Sequence, residues 1–336
     1  MYAARPLVLE LTGGEIWSKS DYFTQTILKD YLALYNPDFK IVWDARGSLN
    51  EPHTGKSIPL GGRAVMNYID SWCSDFDVAP TFDPQALIAT KGPGLRYNTA
   101  LWIEKEGFAP ILEDAGIDKR YDMTIMSTKG MTVKAAVEVA QHLENEGVRI
   151  LVAHDFDKSG FEIVNTIRRG TRLLHGGADV VDLGLRLEDI EGLESEPVSY
   201  KQKKDPQKSL YDCGATQEEA DFLVSGNPWY GHWTGQRVEL NAMTSDQLID
   251  WLEKKLTEHE VEKVVPSENV LALGYQRAVV RLSVADLIEE FTDNMDDVAV
   301  VDDLDTRVRK HLEEHPEQTW ERALAAIAES ERTDAA

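Results

Sequence analysis

Residues 149–160 read RILVAHDFDKSG and place two aspartates, Asp155 and Asp157, directly after a run of apolar residues. A similar run at 100–103, ALWI, is followed directly by Glu104. Short runs that are apolar on consecutive positions and partly β-branched or aromatic are typical of strands buried on both faces of a parallel sheet. Open α/β sheets bind ligands outside the carboxyl ends of their strands. The sequence therefore predicts that all three carboxylates lie at the edge of a sheet where ligands bind.

Strand-like and helix-like patterns alternate from residue 98 to about residue 185. Beside the two runs above, the patterns are strands at 121–126 and 178–183 and helices at 105–115, 133–145 and 161–174. A repeated β-α order implies a parallel sheet joined by right-handed crossovers. We therefore predict an α/β fold built on a Rossmann-like parallel sheet.

Residues 1–97 form a region of their own. Its patterns are helices at 4–11, 23–34 and 61–72, a strand at 40–44 and a hairpin-like turn at 46–56, followed by a Pro- and Gly-rich linker at 81–97. The order of helix, helix, hairpin and helix is compatible with a partial winged-helix domain. This part of the chain is therefore predicted to be a partial winged-helix-like region with a linker.

The region after residue 185 is predicted to extend the central sheet. Within 186–290, residues 191–209 are polar and loop-like, 238–242 reads as a strand, and Ser245 is a candidate N-cap for a helix. Residues 291–336 are strongly acidic and are expected to form a peripheral helical tail. The predicted domains are therefore 1–97, 98–185, 186–290 and 291–336.

Composition limits the classes of function. The chain has 336 residues, and its 35 Lys and Arg against 59 Asp and Glu give a formal net charge of −24. Such a chain repels nucleic acid at long range, so binding needs a basic patch, a metal ion or a basic partner. Only two cysteines, Cys73 and Cys213, are present and they are far apart, which favours a reducing setting. Without a membrane-spanning apolar run or a signal segment, we expect a cytoplasmic protein with no membrane contact.

Three carboxylates at one sheet edge point to a hard divalent cation. Like charges at close range raise one another's pKa, and a bound cation removes that conflict. Mg²⁺ prefers a few carboxylates together with water and phosphate oxygens. Asp155 and Asp157 stand at i and i+2, on the same side of an extended segment, so both can face one ion. Glu104 supplies either a third ligand or a general acid or base.

Three segments together resemble a known family. They are 103–108 (IEKEGF), 127–130 (STKG) and 154–160 (HDFDKSG). They are similar to the Toprim domain in the form found in the DNA-cleaving subunit of DNA topoisomerase VI and in its relatives, which include the meiotic double-strand-break protein. The resemblance implies a Toprim fold over 98–185 with Mg²⁺ held by Glu104, Asp155 and Asp157. A later segment, 237–243, resembles a stretch downstream of Toprim in the same topoisomerase.

The resemblance also implies a nucleophile. In the family a tyrosine of an amino-terminal winged-helix domain attacks a DNA phosphodiester, and the segment that begins at Tyr2 looks like the end of that motif. The chain lacks most of the residues that precede this tyrosine in the family, so it is interpreted as an amino-terminally shortened member. The alternative is an independent Toprim protein that does not form a covalent link to DNA.

Candidate DNA contacts come from basic residues near these motifs. Lys129 lies in the second family segment, while Arg168 and Arg169 lie on the helix predicted after the aspartates, where they can meet a DNA backbone. A solvated helix face explains the arginines equally well.

The expected function is magnesium-dependent DNA strand cleavage of the kind carried out by the DNA-cleaving component of type IIB topoisomerases. DNA is the expected partner, together with a second copy of the chain in a homodimer, and an ATPase partner protein is left open. Two alternatives stand beside it: a Toprim nuclease that uses activated water, and a non-catalytic protein that binds DNA or serves in assembly.

Overall fold

A computed structural model describes most of the chain. The described residues are 5–13, 22, 26–37, 47–52, 55–60, 62–72, 82, 93–127, 134–171, 174–175, 177–201, 204–227, 232–294 and 300–334. The strands are β1 (Ser48–Asn50), β2 (Ser57–Pro59), β3 (Thr99–Ile103), β4 (Met123–Ser127), β5 (Arg149–Ala153), β6 (Gly170–Thr171), β7 (Leu174–His175), β8 (Val180–Gly184), β9 (Glu196–Lys201), β10 (Ser225–Asn227) and β11 (His232–Arg237).

Helices outnumber strands in the described residues. They are α1 (Arg5–Thr12), α2 (Leu28–Tyr35), α3 (Gly62–Asp70), α4 (Ala109–Asp114), α5 (Ile117–Arg120), α6 (Lys134–Asn145), α7 (Lys158–Arg169), α8 (Pro206–Asp212), α9 (Gln217–Leu223), α10 (Ser245–Glu258), α11 (Glu268–Asp293), α12 (Leu304–Glu314) and α13 (Trp320–Asp334). Short 3-10 helices lie at Glu106–Phe108, Leu187–Asp189 and Leu240–Ala242.

A four-stranded sheet in the order β4-β3-β5-β8 is the centre of the fold. Each neighbouring pair of its strands runs parallel. β3 and β5 are the two central strands and come from the two apolar runs that end in the acidic residues. The predicted α/β fold with a parallel sheet is confirmed.

Both faces of this sheet are covered. Leu101 and Ile103 of β3 belong to one buried cluster, whereas Trp102 belongs to a second cluster with Ile163 and Ile167 of α7. The three residues of β3 are completely buried. Side chains of a strand alternate between the two faces, so continuous burial requires cover on both sides. Full burial of each large apolar side chain contributes about 1.5–3 kcal/mol to folding.

A second, antiparallel sheet follows in the order β10-β11-β9. The prediction that 191–209 is loop-like is wrong, because β9 lies within it and α8 begins in it at Pro206. β9 is an edge strand with alternating half-buried and exposed residues, so few apolar residues mark it. The strand predicted at 238–242 is also wrong: β11 ends at Arg237, and residues 240–242 form a 3-10 helix. Val238 instead makes an isolated antiparallel bridge with Phe156.

Local backbone and capping set several boundaries that differ from the predicted ones. α7 begins at Lys158 instead of 161, because Asp157 is extended and its side chain accepts from the amide of Gly160. β4 begins only at Met123 since Asp122 has a φ of +42°, outside the β region. Ser245 is not the cap of α10, because Thr244 and Gln247 form a capping box one residue earlier.

The amino-terminal region is described in part. β1 and β2 pair antiparallel as the hairpin that the turn-rich sequence predicts, and the described helices are α1, α2 and α3. The predicted strand at 40–44 lies outside the described residues. The winged-helix interpretation therefore stays a prediction.

The chain divides into two compact units. The first comprises 1–46, 61–63 and 89–268, and the second comprises 47–60, 64–88 and 269–336. The predicted Toprim segment lies within the first unit. The predicted boundary at 290 falls inside α11, a 26-residue helix. Across the described part of the chain, no helix combines the length and apolarity needed to span a bilayer.

Candidate functional site

Glu104 and Asp155 lie side by side because their strands are neighbours. Ile103 of β3 pairs with Ala153 of β5, so the two strands end at the same level of the sheet. The amide of Glu104 donates to the carbonyl of Ala153 at 3.1 Å, and the amide of Asp155 donates to Oε2 of Glu104 at 3.0 Å. Both residues are buried, with exposed fractions of 8% for Glu104 and 3% for Asp155. The structure thus brings these two acids together at the carboxyl edge.

Protein groups hold both oxygens of the Asp155 carboxylate. Oδ1 accepts a hydrogen bond from the amide of Leu240 at 2.8 Å. Oδ2 lies 2.9 Å from Nζ of Lys105. The Val238–Phe156 bridge sets the amide of Leu240 against the loop that carries Asp155. The segment after β11 is therefore part of the site.

Asp157 points its carboxylate to the start of α7. Its Oδ1 accepts from the amide of Gly160 at 2.8 Å, which satisfies an otherwise unpaired donor of the first helical turn. A Cβ on Gly160 would overlap the imidazole of His154 and the carbonyl of Asp155, so glycine is required there. The two aspartates at i and i+2 therefore hold different protein groups in this structure.

An ion-pair chain runs outward from Lys105. Its Nζ lies 2.9 Å from Oε2 of Glu239, whose Oε1 lies 3.0 Å from Nη2 of Arg237. The same Nη2 lies 2.9 Å from Oε2 of Glu196 on β9. Burial opposes the charge of Lys105, but Asp155 and Glu239 raise its pKa above the ordinary value. Lys105 is consequently a charged ammonium between two carboxylates.

A second chain of charged groups contacts the loop at 154–157, which carries Asp155 and Asp157 and is called the aspartate loop below. His154 is completely buried; its Nδ1 lies 2.7 Å from the carbonyl of Asp155, and its Nε2 lies 3.0 Å from Oδ1 of Asp182. Burial alone would lower the pKa of His154, but the hydrogen bond to Asp182 raises it. Both ring nitrogens face acceptors, so the residue is an imidazolium that donates twice.

Arg186 continues this second chain away from the acids. Its Nη1 lies 2.9 Å from Oδ2 of Asp182, while Nε and Nη2 donate to the two oxygens of Glu219 at 2.7 and 2.6 Å. This is a bidentate pair of the kind that fixes geometry as well as charge. His154 and the loop that it holds are thus braced by a fixed pair of side chains.

The acids fit a divalent cation in their chemistry. Burial, followed by the negative charge of Asp155, raises the pKa of Glu104 to about 7, and Asp157 adds to the shift. Burial and the charge of Asp155 also raise the pKa of Asp157. Raised pKa values of this kind are typical of buried carboxylates beside another negative charge, which a cation would stabilise. Within the part of the chain that is described, however, no three Asp, Glu, His or Cys side chains are arranged to hold a metal ion.

Of the other predicted site residues, the structure describes Arg168 and Arg169, and both lie away from these acids. Tyr2 and Lys129 lie outside the described residues. Arg168 and Arg169 occupy the end of α7 opposite Asp157, roughly 16 Å along the helix axis. Arg168 donates to the carbonyl of Val180 at 2.9 Å, and Arg169 donates to a carbonyl at 3.3 Å. Both arginines therefore bind the chain's own backbone.

Several residues of the site were missed by reasoning from the sequence. Lys105 directly follows Glu104, and this adjacency is a local signal that could have indicated it. Glu239 lies in the segment 237–243 that resembles the topoisomerase, but that resemblance assigned it no role; Asp182 gave no comparable signal, because only the tertiary fold brings it to the loop. Tyr200 of β9 lies near Asp157: burial, with that charge, raises its pKa to about 12, and its hydroxyl donates to the carbonyl of Leu223 at 3.2 Å. It is a neutral donor and is not activated as a nucleophile.

A cleft of about 600 Å³ lies beside the second chain of charged groups, lined among others by Arg186, Glu219 and Lys255. Its cations are already paired: Arg186 with Glu219, and Lys255 with Asp189 at 2.9 Å. Glu104, Asp155 and Asp157 do not line it. The cleft is therefore separate from the acid site, the name used below for the site formed by Glu104, Asp155 and Asp157.

Comparison with known protein families matches residues 106–174 to one described as "Protein of unknown function C-terminus (DUF2399)". The matched stretch covers β4, β5 and α7, and it includes Asp155 and Asp157. It begins just after Glu104 and Lys105. No curated protein matches the chain. The chain is thus similar to this family over a stretch that contains Asp155 and Asp157.

Proposed function

We propose that this protein cleaves DNA strands in a magnesium-dependent reaction of the kind catalysed by the DNA-cleaving component of topoisomerase VI. One observation carries the proposal: Glu104 and Asp155, two buried carboxylates, lie side by side at the carboxyl edge of the two central parallel strands, and burial with the charge of Asp155 raises the pKa of Glu104 to about 7. That edge is where ligands bind in open α/β sheets. The family resemblance of the same segments to Toprim supplies the reaction class.

Each residue has a role in this proposal. Asp155 and Asp157 would hold Mg²⁺, and Glu104 would either bind the ion or transfer a proton to or from a deoxyribose oxygen. Bound Mg²⁺ supplies charge stabilisation for a phosphate in displacement. Tyr2 is the proposed nucleophile and attacks the phosphorus, so that the tyrosyl oxygen becomes bonded to phosphate and a ribose hydroxyl leaves. His154 and Gly160 position the aspartate loop.

The test is cleavage of supercoiled plasmid in Mg²⁺ and in EDTA. We expect wild-type protein to nick or cut DNA only with Mg²⁺, and Glu104→Gln and Asp155→Asn each to lower the rate at least about 100-fold, as loss of a group that acts in the transition state does. Glu146→Gln, an exposed acid at the end of α6, is the matched control and should cleave normally. Unchanged cleavage by both site variants would refute the proposal.

A second measurement identifies the nucleophile. If Tyr2 attacks, a covalent protein–DNA adduct forms and Tyr2→Phe abolishes both the adduct and the cleavage. Cleavage that persists in Tyr2→Phe, without an adduct, identifies a nuclease that uses water. DNA binding without any Mg²⁺ binding identifies a non-catalytic DNA-binding protein.

A further inference from the structure

Lys105 occupies the position that a cation needs at this site. Its ammonium lies 2.9 Å from Oδ2 of Asp155 and 2.9 Å from Oε2 of Glu239. Only 30% of the Lys105 side chain is exposed, against 5% for Asp155 and 17% for Glu239. An ammonium held this closely between two carboxylates is a specific ion pair, in contrast to a solvated surface contact.

Asp155 cannot keep this partner and ligate a divalent cation through the same oxygen. Its other oxygen, Oδ1, already accepts from the amide of Leu240. A backbone amide fixes one lone pair of Oδ1, whereas a flexible side chain holds Oδ2, so Oδ2 is the oxygen that is more readily given up to a metal ion; two cations on that one oxygen repel each other strongly inside a protein. Either the ammonium or the metal holds that oxygen.

We propose that Lys105 is the counter-cation of the metal-free site and that a divalent cation displaces its ammonium from Asp155 onto Glu239. The inference rests on the proposed function, because it takes Asp155 as a metal ligand. It adds a residue that tunes metal affinity and that the proposed chemistry does not require.

Glu239 makes the exchange feasible. After displacement the ammonium keeps a carboxylate partner through Oε2, so no charge is left buried and unpaired. Oε1 of Glu239 stays with Arg237, which fixes the position of the acceptor. Glu239 lies in the segment that also carries the amide of Leu240, so the exchange needs no movement of that segment.

The test titrates Mn²⁺, as a spectroscopic substitute for Mg²⁺, into the full chain and follows free Mn²⁺ by electron paramagnetic resonance. Lys105→Met removes the competing charge and should tighten binding about tenfold, the scale of one charge-assisted hydrogen bond. Glu239→Gln removes the negative charge of the second acceptor, so the ammonium stays on Asp155 and Mn²⁺ binding should weaken. If Lys105 served only to stabilise the fold, Lys105→Met and Glu239→Gln would change the Mn²⁺ affinity in the same direction.

Two controls accompany these variants. Lys254→Met removes an exposed lysine of α10, 70% exposed, and should leave the affinity unchanged. Asp155→Asn should abolish binding. If Lys105→Met does not fold, as judged by circular dichroism, Lys105→Gln replaces it, since it keeps a polar end without a charge.

The outcomes separate the two proposals. Equal affinity in wild type and Lys105→Met, with binding lost in Asp155→Asn, overturns the role of Lys105 and leaves the metal site standing. Mn²⁺ binding that appears only in Lys105→Met overturns the exchange, because it shows that the ammonium of wild type is not displaced. Absence of any binding that depends on Asp155, in wild type and in Lys105→Met alike, overturns both.

Discussion

Individual charged residues hold the aspartate loop, and hydrogen bonds to further charged residues fix the positions of these partners. Asp182 joins the imidazole of His154 to the guanidinium of Arg186, and Glu219 holds Arg186 from the other side. Burial opposes ionisation of Glu219, but the hydrogen bonds from Arg186 win and lower its pKa. The arrangement of Arg186, Asp182 and His154 therefore depends on the ionised carboxylate of Glu219 in the folded protein.

We predict that Glu219→Gln destabilises the protein by about 2–3 kcal/mol at pH 7, because Arg186 loses its bidentate partner. The folded pKa of Glu219 lies below its unfolded value, so this stabilisation is complete above the ordinary glutamate pKa and is lost as the pH falls through the folded pKa. Urea unfolding of both proteins from pH 7 down to about pH 3, where a carboxylate with an ordinary pKa near 4.3 is mostly protonated, measures the difference.

Glu218→Gln is the matched control, since the neighbouring Glu218 is exposed and should shift stability only slightly. A difference between wild type and Glu219→Gln that stays constant over this pH range would contradict the assignment.

At the scale of elements, Asp157 has two roles at the start of α7. Asp157 caps the helix through the amide of Gly160 and is also a proposed metal ligand. Asparagine caps helices about as well as aspartate does, whereas alanine does not. Substitution at this position can therefore separate folding from metal binding.

Asp157→Asn should retain stability to within about 0.5 kcal/mol, while Asp157→Ala should lose about 1 kcal/mol as an absent N-cap does. Both should weaken Mn²⁺ binding, because each removes a carboxylate. Thermal unfolding combined with Mn²⁺ titration checks the two effects separately. Normal Mn²⁺ affinity in both variants would exclude Asp157 from the metal site.

The strands and helices within residues 98–185 were predictable because their sequence signals are local. Residues 100–103 of β3 and 150–153 of β5 are buried and apolar on consecutive positions, and α6 has helical periodicity, so the local pattern was sufficient to identify them. The segment at 238–242 alternates like a strand yet forms a bridge and a 3-10 helix, because the amide of Leu240 bonds to Asp155 instead of a strand partner. That partner lies 85 residues away and leaves no local pattern.

At the scale of the whole molecule, the formal net charge of −24 limits how the chain can associate with DNA. Long-range repulsion opposes association with a polyanion, and a divalent cation bound by Glu104, Asp155 and Asp157 would offset the negative charge where the phosphate would lie. We therefore expect the acid site to bind DNA only when a divalent cation is present.

Fluorescence anisotropy of a labelled duplex, at constant ionic strength, should show DNA binding in Mg²⁺ that falls at least about tenfold in EDTA. In Asp155→Asn, Mg²⁺ should have little effect beyond screening. Binding that is equally tight in EDTA would show that a basic surface, and not a metal, recruits DNA.

By itself the sequence determined the α/β class, the two central strands and the position of Glu104, Asp155 and Asp157 at their carboxyl ends, because burial pattern and chain order are local properties. Only the tertiary structure decided the partners of these acids. Lys105 and the amide of Leu240 hold Asp155, Gly160 engages Asp157, and neighbouring strands place Glu104 against Asp155. Such contacts depend on strand order and on the docking of distant segments, which periodicity along the chain does not encode.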